Sequence, residues 1–94
     1  MKVRFTRRAF ADREAIFDYV HQRSPAGAGN VMARFRHAVE QLSSQPFIGI
    51  ETDHEDVRVL FVGRYPFKLF YRVRDGTIEI LHIRHTSRRP ADLD

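Results

Sequence analysis

The sequence predicts an α+β domain in the order β-α-α-β-β-β, with a helical hairpin packed on one face of a small, mainly antiparallel sheet. Three observations predict it. Apolar residues recur at helical spacing through residues 7–23 and again through residues 25–44, with Ser24-Pro25 between the two runs. Three β-rich runs occupy residues 57–62, 67–74 and 77–85, the last two joined by Asp75-Gly76, a strong hairpin signal. A short alternating run, MKVRF, precedes the first helix.

That first run places Val3 and Phe5 on one side of a half-buried strand, with Lys2 and Arg4 blunting it as an edge. Thr6 is suited to cap the helix that follows. Phe10, Ile16, Phe17 and Val20, with Ala9 and Ala15, mark the apolar side of helix 7–23, while Asp12, Glu14 and Asp18 interleave with Arg8 and Arg13 on the other. Ser24-Pro25 then breaks the helix. The residue before a proline is driven out of the α region, and proline fits the first turn of a new helix.

The second helix has the clearest period in the chain. Ala28, Val31, Met32, Phe35, Ala38, Val39 and Leu42 form one continuous stripe, although Gly27 and Gly29 weaken its first turn. A connection of two or three residues makes the helices an antiparallel hairpin. Pro46 and Gly49 end it, and residues 47–56 (FIGIETDHED) read as a solvated acidic loop able to shield a basic sheet.

Simple hairpin register puts Arg58, Leu60, Val62, Phe67, Leu69, Tyr71, Val73, Ile78 and Ile80 toward the helices. Lys68, Phe70, Arg72, Arg74, Glu79, Leu81 and His85 then fall on the open face, with Arg72 opposite Glu79. A bulge within residues 63–66 would shift the first of these strands.

Ninety-four residues is the size of one domain, 1–94, ending in a polar basic tail over residues 86–94. There is no cysteine, so disulfides and thiolate metal sites are excluded and a reducing cytoplasm is expected. No apolar stretch resembles a secretory signal or a membrane span. The net charge is +4, and it is not spread evenly. Residues 57–94 carry eight Lys and Arg against four acids, whereas residues 1–56 carry eight of each. A basic sheet on a neutral helical support points to an acidic partner, nucleic acid or protein.

The Ser24-Pro25 break, the long helix ending in Leu42-x-x-x-Pro46-x-x-Gly49, and the segments Val57-Arg58, Tyr65-Pro66-Phe67, Tyr71-Arg72-Val73 and Ile80-Leu81-His82-Ile83-Arg84-His85 together resemble the RelE/ParE toxin superfamily. The closing His85-Thr86-Ser87-Arg88-Arg89-Pro90 is similar to the end of ParE-like and plasmid-stabilisation toxins. The resemblance spans nearly the whole chain. It implies a type II toxin–antitoxin system, a co-encoded antitoxin that neutralises the toxin as a hetero-oligomer, and growth arrest when the antitoxin is lost. It also implies contact with operator DNA only through the antitoxin. The superfamily holds two chemistries: RelE-like members cleave mRNA on the ribosome, and ParE-like members poison DNA gyrase by direct contact.

Metal-free RNA cleavage needs a group to activate the 2′-hydroxyl, an acid for the leaving oxygen and cations for the phosphate. Arg58, Arg84 and His85 stand where the resemblance puts the strand residues of such a site, with Glu51 or Glu55 as a base. The base-stacking aromatic expected near the C-terminal end is missing, since no aromatic follows Tyr71. The expectation is therefore a ParE-like gyrase inhibitor without cofactor, contacting its target through Arg58, Arg84, His85, Arg88 and Arg89. Phe10, Phe17, Phe35, Phe70 and Arg72 are expected to meet the antitoxin. The alternatives are a ribosome-dependent mRNA endonuclease and a non-toxic antitoxin-binding module. Arg58 has a structural competitor role, holding Tyr71 or the acidic loop. His82 and His85 point to opposite faces of a regular strand and cannot share a metal, and His85 also suits a structural place at the sheet end. Lys68, Arg72 and Arg74 read as plain open-face charges.

Overall fold

The computed structural model describes residues 1–86. They form β1 (Lys2–Phe5), α1 (Arg7–Arg23), α2 (Pro25–Ser44), β2 (Ile50–Glu51), β3 (Arg58–Phe61), β4 (Phe67–Arg74) and β5 (Thr77–His85). The strands make one sheet in the order β1-β5-β4-β3-β2. β1 lies parallel to β5, and all other neighbours are antiparallel.

Local chemistry sets the helix ends. Thr6 has extended backbone, and its hydroxyl accepts the Ala9 amide at 3.2 Å. Ser24 alone joins the two helices. Extended at φ −159°, as a residue before proline must be, it donates its amide to Val20 and accepts the Gly27 amide on its hydroxyl at 2.9 Å. One residue thus closes α1 and opens α2.

The α2 stripe of Ala28, Val31, Phe35, Ala38 and Leu42 is buried as its period predicts. It packs over Leu69, Tyr71, Ile78, Ile80 and Ile83 of the sheet, with Val62 and Phe67 beside them. Each Val, Leu, Ile or Phe among them contributes about 1.5–3 kcal/mol of burial. Phe35, expected on a partner surface, is only 3% exposed and belongs to this core. The spacing that makes a helical residue apolar-faced also turns it inward.

Two further corrections concern the sheet. Residues 47–56 are not wholly loop, because Ile50 and Glu51 pair with Val59 and Arg58 as an edge strand. More consequential is a bulge at Leu81. Tyr71 faces Ile80 but Phe70 faces His82, leaving Leu81 without a partner across β4. Beyond it the alternation inverts. Ile83 and His85 turn toward the helices, and His82 and Arg84 turn to the open face. His85, expected on the open face, instead pairs with Phe67 and packs edge-on to its ring at 5.6 Å.

Contacts from the start of α1 and its cap fall on the bulge. The Thr6 hydroxyl lies within hydrogen-bond reach of the Ile80 and Leu81 carbonyls, at 2.9 and 3.0 Å, where β1 ends. Two residues on, the Asp12 carboxylate accepts the Ile83 amide at 2.9 Å. Asp12, assigned by sequence to the solvated side of α1, is therefore part of the joint between helix and sheet.

Candidate functional site

The open face of the sheet is built from residues that alternate away from the helices. Strand register arranges them in rows across the strands. One row is Arg4–Glu79–Arg72, in which Glu79 takes both guanidinium groups, that of Arg72 at 2.8 Å. Both arginines share this one carboxylate, and apart from Arg4 the row is half-buried.

The next two rows differ. Ile50–Val59–Phe70–His82 is apolar to its end, and Phe61–Lys68–Arg84 runs beside it. The Phe70 ring stacks on His82 at 4.4 Å, with Lys68 Nζ at 5.5 Å and the Arg84 guanidinium at 5.7 Å from its centre. No carboxylate among the described residues lies within salt-bridge reach of Lys68 or Arg84. Arg84 Nε and His82 Nδ1 are buried without a hydrogen-bond partner. Burial, followed by the positive charges of Arg84, Arg8, His54 and Lys68, holds the His82 imidazole down at about 4, so the ring is neutral at physiological pH. Ile50 is 62% exposed and Phe61 49% exposed, giving this end of the face an apolar surface next to two uncompensated cations.

The five expected target residues do not converge. Arg58 faces the helix side of β3, where its guanidinium donates to the Gly49 carbonyl at 2.8 Å and the Phe47 carbonyl at 3.3 Å. Glu51 lies 3.7 Å away, so the acidic loop does answer this cation. Arg58 and His85 lie opposite Tyr71 and Phe67, four residues apart on β4, or about 13 Å at strand rise. Arg84 is on the other face of the sheet. Arg88 and Arg89 lie outside the described residues.

Of the residues expected to meet a partner, Phe70 and Arg72 are on the open face, while Phe10 and Phe17 are on α1. Phe17 stacks on His21 at 5.3 Å. Phe10, half-exposed, covers the Arg13 guanidinium at 5.3 Å, and Phe5 covers the same group at 5.1 Å. That arginine borders an open groove of about 530 Å³ between the helices and β1, floored by Phe5, Met32, Phe35 and Val39. Among the described residues no three His, Cys, Asp or Glu side chains are grouped to hold a metal. No helix among them is long and apolar enough to cross a membrane.

Sequence reasoning missed Lys68, His82, Phe61 and Ile50. The alternation of Lys68 with Phe70 was legible, but Arg84 joins them only because of the bulge at Leu81. Ile50 joins them only because β2 extends the sheet.

The chain resembles known proteins over nearly its full length. Residues 3–90 match the family model of the ParE toxin of the type II toxin–antitoxin system, parDE. Toxin RelE2 of Caulobacter vibrioides is 37% identical over 87 residues, covering 93% of this chain and 97% of that protein. A putative toxin, Y4kP, of Sinorhizobium fredii is 30% identical over 89 residues, covering 94% of this chain and 91% of its own. Among solved structures, the chromosomal ParDE system from P. aeruginosa superposes with a TM-score of 0.82 at 29% identity, over 93% of this chain and 97% of the other. The YoeB dimer from Staphylococcus aureus shares the fold, with a TM-score of 0.63 at 13% identity over 90% of this chain and 95% of the other. The helical hairpin on a mixed five-stranded sheet and the family match agree, and the chain belongs to the ParE toxin family of type II toxin–antitoxin systems, within the RelE/ParE superfamily.

Proposed function

We propose that this toxin arrests growth by binding DNA gyrase, without cutting RNA, and that a co-encoded antitoxin neutralises it. The observation that carries the choice of target is the scatter of the ribonuclease candidates. Arg58 is tied to two backbone carbonyls, His85 is packed on Phe67, and Arg84 is on the opposite face. An acid, a base and a phosphate cation must lie within hydrogen-bond reach of one phosphodiester, and these three do not. The lack of any aromatic after Tyr71 supports the same reading. The ParDE architecture of a relative sharing 29% of its residues supports an antitoxin partner.

The ribonuclease alternative draws on a different trio, Lys68, Arg84 and His82, which do share one face. His82 weakens it: an imidazole held at about 4 is a poor proton acceptor for a 2′-hydroxyl. The third reading, a binding module without toxicity, has no structural feature in its favour.

Expression from a tightly repressed promoter, with DNA and protein synthesis followed separately, tests the choice. Early loss of DNA synthesis and inhibition of gyrase supercoiling by the purified toxin are expected. Immediate loss of translation with cleaved mRNA would overturn the gyrase reading in favour of the nuclease. Normal growth with folded protein would leave the binding module.

A further inference from the structure

The open face is divided. At one end the Glu79 carboxylate bridges Arg4 and Arg72, so both cations already have an anionic partner. At the other, no carboxylate among the described residues reaches Lys68 or Arg84, and Phe61 and the Ile50–Val59–Phe70 row flank them. We propose that these two rows are the docking site for an acidic, amphipathic segment of the antitoxin. Its apolar side chains would cover Ile50, Val59 and Phe61, and its carboxylates would reach Lys68 and Arg84. The proposal rests on the toxin–antitoxin reading above and specifies where the partner sits.

Three features select a protein segment over nucleic acid. Two adjacent uncompensated cations are few for a phosphate backbone, whose binding is built from many contacts. The Phe70 ring already has His82 stacked on it at 4.4 Å, so one of its faces is closed to a base. The remaining surface is aliphatic and aromatic rather than polar, with Ile50 and Phe61 both widely exposed. An apolar row next to a cationic row fits an acidic segment with one apolar side. The row spacing of about 7 Å, two residues along a strand, is within reach of neighbouring side chains of such a segment.

The test uses the intact toxin co-purified with the antitoxin encoded beside it, with affinity read by calorimetry at low and moderate salt. Lys68→Glu with Arg84→Glu should weaken the complex on the order of 100-fold and remove most of its salt dependence. Phe61→Ser should weaken it about tenfold without changing the salt slope. Arg74→Glu, on the same face but beyond the Arg4–Glu79–Arg72 row, should stay within about threefold. Circular dichroism and thermal melting establish that each variant is folded. Unchanged antitoxin affinity in folded Lys68→Glu/Arg84→Glu overturns the proposal while leaving the function intact. Unchanged affinity with lost toxicity also overturns it, and assigns the rows to the cellular target. Failure of the parent toxin to bind that antitoxin overturns both readings.

Discussion

The hydroxyl of Tyr71 accepts the backbone amide of Gly49 at 2.8 Å, in the interior, between the end of α2 and the centre of the sheet. A Cβ on residue 49 would stand 2.6 Å from that oxygen and 2.9 Å from the Val59 carbonyl. The Arg58 guanidinium takes the Gly49 carbonyl at 2.8 Å. Both backbone groups of one glycine are thus gripped by side chains of two different strands, which fixes the segment leading into Ile50.

Gly49→Ala should therefore cost about 2–3 kcal/mol, since neither the sheet backbone nor a buried ring can yield cheaply. Tyr71→Phe should cost about 1–2 kcal/mol by leaving a buried amide unpaired. Urea titration of both and of the double variant checks this. The double variant should fall short of the sum, because removing the hydroxyl relieves the closest contact.

Arg58→Ala should lower stability by about 1–2 kcal/mol through loss of its carbonyl contacts, and Arg58→Lys should recover only part of it, lacking the planar fork. Thermal melting measures the loss. Toxicity assayed well below the variant's melting temperature should be largely retained if the role is structural.

Asp12→Ala should destabilise by about 1–2 kcal/mol, and Asp12→Asn, which keeps an acceptor oxygen, by much less. Hydrogen exchange gives a local reading: the Ile83 amide should lose protection in Asp12→Ala while the amides of α2 keep theirs.

Acid should weaken the fold through His82. Its folded value of about 4 lies below the ordinary 6.5, so the unfolded chain takes up the proton first as pH falls. Stability from this group is complete above pH 6.5, declines between 6.5 and about 4, and is flat below. The full shift corresponds to about 3 kcal/mol, and solvent access to the ring reduces the expectation to about 1–2 kcal/mol. Urea midpoints from pH 4 to 7 should show the decline in the parent and a flatter profile in His82→Asn.

Alkali should act on Tyr71. Burial raises its phenol above the usual 10, against lowering by the Gly49 amide and by Arg58. The unfolded chain ionises first as pH rises through 10, so stability should fall there. Tyr71→Phe should abolish that part of the loss, as pH-dependent melting would show.

The helices were legible to the residue because a 3.6-residue period over seventeen and twenty residues has few competing readings. β4 and β5 were legible as β-rich runs on either side of the Asp75-Gly76 hairpin signal. Both hairpin residues have positive φ, 52° at Asp75 and 72° at Gly76, the conformation this pair favours. The site was not legible. A period of two cannot announce an extra residue, and the side chains that meet β5 around the bulge at Leu81, Thr6 and Asp12, lie seventy or more residues away. So His85 lies on the face opposite to the one expected, and Lys68, which reads as a plain open-face charge, stands beside Arg84. Arg58 was read with its competing role in view, and that role is the one its contacts fill.

The sheet order carries a consequence for synthesis. Among the described residues β1 has β5 as its neighbour, so its Lys2 and Phe5 find their partners Thr77 and Ile80 only after everything between them has been translated. A nascent chain reaching Arg74 holds both helices but an incomplete sheet, with Val3 and Phe5 unpaired. Such long-range closure is slow and comes late. The domain thus stays structurally unfinished until β5 has been made, which leaves an interval for a partner to be present before the sheet closes.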